Sequence, residues 1–198
     1  MPRQVTRKPP APSRRSAVEP FIVMDVMRAA ADREHAGGHV IHMEVGQPGA
    51  PAPKAVIAAA HLALADGRIG YTEALGNRRL RARIAEYYQQ AHGLTVPTER
   101  IAVTTGSSAG FNLTFLAAFD PGDRIAITAP GYPAYRNVAA ALGLEVVEIP
   151  VHAETRYALT PAMLAEVHRA KPLAGVLVAS PANPSGTLMT PAALKALI

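Results

Sequence analysis

An α/β fold in three layers, helices over both faces of a mainly parallel sheet, is predicted by two features of the sequence. From Ile101 onward short apolar runs alternate with helix-length segments. Strands separated by helices of that length pair in parallel and are buried on both faces. The runs, such as Leu173 to Ala179, are strand-sized and bounded by proline or glycine. They fall far short of the ~20 apolar residues a membrane helix needs. A chain of 198 residues with 49% hydrophobic content can also bury a sizeable core, as one domain or two small ones.

The elements follow in order. Phe21, Ile22, Met24, Val26, Met27 and Ala30 recur at roughly helical spacing and predict a helix over about Pro20 to Ala36, stopped by Gly37-Gly38. His39 to Val45 alternates like a short strand. Pro51 and Pro53 lead into an Ala-rich helix, Lys54 to Ala65, closed at Gly67. A longer helix over about Asn77 to Ala91 places Leu80, Ile84, Tyr87 and Tyr88 on one face, with arginines between. Beyond it come a strand at Ile101–Thr105, a helix at Ser107–Phe119, a strand at Arg124–Thr128 and a helix at Tyr132–Leu142. Leu144–Ile149 reads as the next strand, Pro161–Arg169 as a helix and Leu173–Ala179 as the last strand, before a helix that begins near Pro191.

Charge and composition narrow the function classes. The net charge of +5 resides in residues 1–18, where Arg3, Arg7, Lys8, Arg14 and Arg15 precede the first acid, Glu19; the other 15 basic residues are matched by 15 acidic ones. No nucleic-acid partner is expected of the neutral remainder. Pro2, Pro9, Pro10 and Pro12 make residues 1–18 read as a disordered, solvated arm, and they oppose the amphipathic helix of a transit peptide. The sequence has no cysteine, so it has neither a disulfide framework nor a thiolate metal site. A cytoplasmic protein without membrane or metal contacts is the expectation. Of seven histidines only His35, His39 and His42 cluster, and they read as surface residues.

Five segments carry candidate chemistry. Val103-Thr104-Thr105-Gly106-Ser107-Ser108 is a strand, a glycine turn and a helix start, where free amides, the helix dipole and two hydroxyls can hold an anion. Ser107 also serves as an ordinary N-cap in the plainer reading. Tyr132, in Pro130-Gly131-Tyr132-Pro133, can stack on a planar heteroaromatic ring or simply fill the core, the latter being the better reading for Tyr135. Asn183, in Ser180-Pro181-Ala182-Asn183-Pro184-Ser185-Gly186-Thr187, follows a buried strand and so arrives at the carboxyl edge of the sheet, where open α/β folds bind ligands. Its amide can stabilise a phenolate, or it is only a turn residue; an Asn-Pro bond there can be cis. Gly46, in Val45-Gly46-Gln47-Pro48, permits a positive φ, a close backbone approach to a ligand, or an ordinary turn. Tyr71, between Gly70 and Thr72, reads equally as a surface or interface aromatic. G-x-G-x-x-G and G-x-x-x-x-G-K are both absent, which removes the support for a nucleotide site.

In their order and separation these segments, with Gly76, resemble the first half of a fold-type-I, pyridoxal-phosphate-dependent aminotransferase of class I/II. The resemblance starts near Glu19 and covers about half of a family member. It implies a three-layer αβα large domain, truncated here, with residues 19–50 contributing to the small domain and 51–198 forming the first part of the large one. It implies pyridoxal 5'-phosphate as cofactor, an amino acid and a 2-oxo acid as substrates, and a homodimer. Gly106, Ser107 and Ser108 would hold the cofactor phosphate, Tyr132 would stack on its ring, and Asn183 would meet the ring oxygen and border the substrate. Gly46 would lie beside the substrate carboxylate, and Tyr71 would reach the phosphate of the neighbouring subunit.

Amino transfer also needs a Schiff-base lysine and an acidic partner for the ring nitrogen. In the family both lie beyond the Asn-Pro-x-Gly turn. Lys8, Lys54, Lys171 and Lys195 lack the serine-flanked context of that lysine. No catalytic residue is therefore assigned, and the chain reads as an N-terminal fragment that is inactive by itself. The alternatives are an aminotransferase-like binding or regulatory module, for whose fused DNA-binding domain residues 1–18 are too short, and a lyase or synthase of the same fold.

Overall fold

The computed structural model describes residues 11–67 and 69–198. Two compact units divide the chain: Ile22–Gly106, and Ser107–Ile198 together with residues up to Phe21. Of the expected arm, residues 1–10 lie outside the described residues, while Arg14–Ser16 form one exposed 3-10 turn.

The first unit holds α1 (Ile22–His35), α2 (Lys54–Ala65) and α3 (Arg78–His92). Helix α3 starts where Asn77 Oδ1 accepts from the amides of Arg79 (2.9 Å) and Leu80 (3.3 Å), and it stops at Gly93, whose left-handed φ of 67° glycine adopts without strain. Of the apolar stripe read on α3 only Ile84 is half-buried. Leu80, Tyr87 and Tyr88 are exposed, whereas Arg81 is 7% exposed. Arg81 donates to Gly76 O (3.1 Å), Thr98 O (3.1 Å) and Glu73 Oε2 (3.0 Å), so every branch of its fork is used. Gly76 is required beside it, since its φ is +94° and a Cβ would stand 2.7 Å from Val103 Cβ.

Neither strand expected in this unit forms. Residues 39–45 have no ladder, and residues 101–105 are irregular, with the Val103 amide donating to Leu75 O at 3.0 Å. Alternation shows that a segment could be extended, but a strand also needs a neighbour to accept its hydrogen bonds.

The second unit is the three-layer fold. Helix α4 (Ser107–Ala118) precedes β1 (Arg124–Ala129), and α5 (Pro133–Ala141) leads to β2 (Glu145–Pro150). Helix α6 (Pro161–Ala170), β3 (Gly175–Val176) and α7 (Pro191–Leu197) follow. The sheet is parallel in the order β2-β1-β3, with Ile125 opposite Val146 on one side and Gly175 on the other. Only two residues of the run 173–179 count as strand, although Ala174 and Leu177 also donate to β1 carbonyls at 2.8 and 2.9 Å. Proline at the first helical position opens α5, α6 and α7, and Thr160 and Thr190 cap the last two through their hydroxyls.

Successive β1 residues face opposite sides of the sheet, and Ile125, Ala126 and Ile127 are all buried because both sides are covered. Ile125 packs with Phe115, Ala139 and Leu144 from the α4 and α5 side. Ala126 packs with Ile149 and Leu159, against Met163, Leu164 and Leu197 from the α6 and α7 side. Each face of the sheet thus meets its own pair of helices. At the amino edge, Lys171 (2.7 Å) and Arg124 (2.7 Å) both bind the Glu145 carboxylate and hold it below the usual carboxylate range. The Arg124 guanidinium also donates to the carbonyls of Lys171 and Pro172, joining β1, β2 and the approach to β3.

Candidate functional site

In this parallel sheet the central strand, β1, is also the first in sequence. The chain leaves β1 for β2 on one side and later returns past it to β3 on the other. Such a switch opens a crevice at the carboxyl ends of the strands, the place where open α/β sheets bind ligands. Three of the sequence-derived candidates arrive there.

Tyr132 is three residues beyond β1, extended (φ −65°, ψ 121°), and it caps α5. Its ring meets Phe21 at 5.9 Å and 86°, and Tyr135 at 5.4 Å and 80°. Gly131 before it is forced by packing, because a Cβ would stand 2.4 Å from Thr128 O. The bond Ala129-Pro130 is cis, as are Ser180-Pro181 and Asn183-Pro184, the last in accord with the sequence reading. Behind Tyr132, Arg136 binds Glu148 across the α5–β2 contact at 3.1 Å.

Asn183 sits in a turn that closes on itself beyond β3. The Ala182 amide donates to Thr187 O (2.9 Å), the Gly186 amide to Ala182 O (2.7 Å) and the Met189 amide to Ser180 Oγ (3.0 Å). Because the turn satisfies its own backbone, the Asn183 side chain is left exposed, with no hydrogen-bond partner among the described residues. A carboxamide displayed in this way offers both donor and acceptor to a ligand.

Helix α4 reaches the same edge by length. Five residues separate its end from the start of β1 at the amino edge, and its 12 residues span roughly 18 Å, close to the rise of a six-residue strand. Its first turn therefore lies at the carboxyl edge. Gly106 precedes it at φ +83°, with its amide on Thr104 O (2.9 Å) and its carbonyl accepting from Thr104 Oγ1 (2.8 Å). Ser107 and Ser108 are exposed, and no described side chain accepts from the amides of the first turn. The result is a cluster of free N–H donors with two hydroxyls, suited to a phosphate.

Tyr71 and Gly46 belong to the first unit. Tyr71 is fully exposed. Gly46 does not use a positive φ, and a Cβ there would meet nothing within 4 Å. Of the reasons to hold glycine at 46, a positive φ is thereby removed. His42 links its segment to α1 through Glu44 Oε1 (2.7 Å) and Glu34 Oε1 (3.1 Å), and those carboxylates raise its pKa.

Sequence reasoning missed the Phe21–Tyr132 contact, the buried Arg81 and the left-handed pair Arg156 (φ 53°) and Tyr157 (φ 55°). A signal existed for Arg81, which lies three and four residues before Ile84 and Ala85, the half-buried positions of α3. None existed for Phe21, whose partner is remote in sequence.

The chain matches the family described as aminotransferase class I and II over residues 38–198. It is 52% identical over 183 residues to the valine–pyruvate aminotransferase of Mycobacterium tuberculosis (strain ATCC 25618 / H37Rv), covering 92% of this chain and 47% of that protein. Its fold is similar to a crystal structure of an aminotransferase from Mycobacterium tuberculosis, with a TM-score of 0.88, 51% identity, and 95% and 48% of the two chains covered. The aspartate aminotransferase of Thermus thermophilus with maleate gives a TM-score of 0.85 at 32% identity, covering 95% and 49%. The chain spans about half the length of the curated relatives it matches.

Proposed function

Because the chain belongs to the aminotransferase class I and II family, we propose that it supplies the cofactor-binding half of a pyridoxal-5'-phosphate-dependent enzyme that moves an amino group between an amino acid and a 2-oxo acid. The observation that carries this reading is the meeting of Tyr132, Asn183 and the uncapped start of α4 at the carboxyl edge of one parallel sheet. The 52% identity to a protein named valine–pyruvate aminotransferase favours an apolar amino acid as donor and pyruvate as acceptor. The same reading includes a cytoplasmic homodimer, a solvated arm at 1–18, a small-domain segment at 19–50 and large-domain sequence at 51–198. Among the described residues no helix is long and apolar enough to cross a membrane.

The donor set fits the group. Ser107 and Ser108 would hold the phosphate with first-turn amides and hydroxyls that have no competing acceptor among the described residues, Gly106 would form the turn that presents them, its own amide being on Thr104 O, and the dipole of α4 favours the negative charge. The Tyr132 ring would stack on the pyridine. Asn183 donates to the ring oxygen and keeps it ionised, and together with Gly46 it borders the substrate. Tyr71 serves the phosphate of a second subunit. When bound, the cofactor supplies an electron sink for the bonds at the substrate α-carbon. Lys171 is engaged at the opposite edge by Glu145 and takes no part.

Two experiments test the reading. Equilibrium dialysis of pyridoxal 5'-phosphate against the chain and its Ser107→Ala/Ser108→Ala variant is expected to show affinity falling at least about tenfold, since each hydrogen bond to a charged acceptor contributes ~1.5–3 kcal/mol. Equal affinities remove the serine hydroxyls from the phosphate site. Residues 1–198 fused to the second half of the Mycobacterium tuberculosis relative are expected to form alanine from L-valine and pyruvate. A folded, cofactor-loaded fusion that turns over no amino acid refutes amino transfer.

A further inference from the structure

We propose that Tyr135, clamped between Phe111 and Tyr132 with Phe21 closing the far side, is a positioning residue that sets the ring of Tyr132 against the phosphate-binding turn of α4. The inference rests on the cofactor reading above and adds residues to which that reading gives no task.

Four rings form a continuous chain in the second unit. Phe111 meets Tyr135 with centroids 4.9 Å apart at 70°. Tyr135 meets Tyr132 at 5.4 Å and 80°, and Tyr132 meets Phe21 at 5.9 Å and 86°. All three contacts are edge-to-face, the geometry in which the electron-poor rim of one ring meets the electron-rich face of the next. Each end of the chain is anchored. Phe111 lies one helical turn after Ser107 on α4, on the same face as that serine. At the other end Asn137 Nδ2 donates to Glu19 O at 3.1 Å and ties the segment ending in Phe21 to α5.

Tyr132 stands outside regular structure, as the N-cap of α5 with no side-chain cap bond. The rings on either side, near perpendicular to it, therefore hold its orientation. The span from Ser107 to Tyr132 then depends on Phe111 and Tyr135 as well as on the backbone. Burial of Tyr135, which raises its phenol pKa, agrees with a side chain held in packing. A core tyrosine, the plain sequence reading, is thus placed where its packing has a consequence for ligand binding.

The test separates ring from phosphate. Pyridoxine 5'-phosphate carries both and cannot form an imine with adventitious lysines; inorganic phosphate carries only one. Both are titrated against the chain and against Tyr135→Leu, Phe21→Leu and Tyr135→Phe. The two leucine variants are expected to bind pyridoxine 5'-phosphate about two- to tenfold more weakly, the range an oriented aromatic contact contributes. Inorganic phosphate affinity stays within about twofold, and Tyr135→Phe retains both wild-type affinities. In the Tyr132→Leu background Tyr135→Leu adds no further loss, because it acts through the ring already removed. Equal losses for the two probes, or unchanged pyridoxine 5'-phosphate affinity in both leucine variants, overturns the proposal. Should Tyr135→Leu not fold, Phe21→Leu decides alone. A folded wild-type chain that binds neither probe refutes the cofactor reading itself, whereas wild-type binding that the leucine variants leave intact refutes only the role of Tyr135.

Discussion

Replacing Gly131 by alanine puts a methyl carbon 2.4 Å from the carbonyl oxygen of Thr128, where ordinary contact begins near 3.4 Å. A displacement of about 1 Å is needed to relieve the clash. The obstructing atom cannot swing aside, because it is main chain of the central strand and Thr128 is registered opposite Ile149 of β2. Forcing such a group into a packed site costs about 1–3 kcal/mol. The strain falls one residue before Tyr132, so weaker pyridoxine 5'-phosphate binding is expected to accompany it. Urea unfolding of Gly131→Ala, beside Gly49→Ala as a control with nothing within 4 Å of its Cβ, measures the cost. The control is expected within about 0.5 kcal/mol of wild type. A Gly131→Ala chain as stable as the control would refute the argument.

Three further outcomes are expected. Gly46→Ala should leave stability within about 0.5 kcal/mol, since its Cβ meets nothing within 4 Å, yet raise KM for the amino acid in the fusion enzyme; unchanged KM removes Gly46 from the substrate site. The His42 tie should be strongest between the ordinary carboxylate value of 4.5 and the ordinary imidazole value of 6.5: the raised His42 pKa gives stability present below 6.5 and lost as pH rises through the folded value, and the lowered Glu44 pKa gives stability present above 4.5 and lost as pH falls. A stability gap between wild type and His42→Gln that is the same at pH 5.5 and pH 8.5 would contradict it. Mixing Tyr71→Ala fusion enzyme with a Schiff-base-lysine variant should restore partial activity through one intact site per heterodimer; heterodimers seen by mass spectrometry without activity place Tyr71 in its own subunit or in no site.

The helices of both units and the parallel sheet were legible because their signals are local: proline at N1, glycine past the last turn, apolar runs of strand length. Lys54–Ala65 was read to the residue, and α3 to within one residue at each end. The strands at 39–45 and 101–105 were misread for a physical reason. The alternation at 39–45 and the short apolar run at 101–105 are properties of one segment, whereas a ladder belongs to two, and in the first unit neither segment finds its second. Arg81 was missed because charge was taken as a mark of the surface. Each of its three guanidinium nitrogens donates inside, to the carbonyls of Gly76 and Thr98 and to the Glu73 carboxylate.

The same distinction runs through the site. The residues proposed to touch the cofactor each sit at a turn with its own sequence signature: Gly106-Ser107-Ser108, Pro130-Gly131-Tyr132, Asn183-Pro184-Ser185-Gly186. Residues that aim those groups carry no such mark. Phe21, Phe111 and Tyr135 come from an N-terminal segment and two helices, and each has an adequate local reason to be apolar. Only the distances of 4.9, 5.4 and 5.9 Å between successive rings show that these three positions form one connected set with Tyr132. If Tyr135→Leu and Phe21→Leu weaken ring binding and spare phosphate binding, the precision of this site resides in packing that turn motifs alone do not reveal.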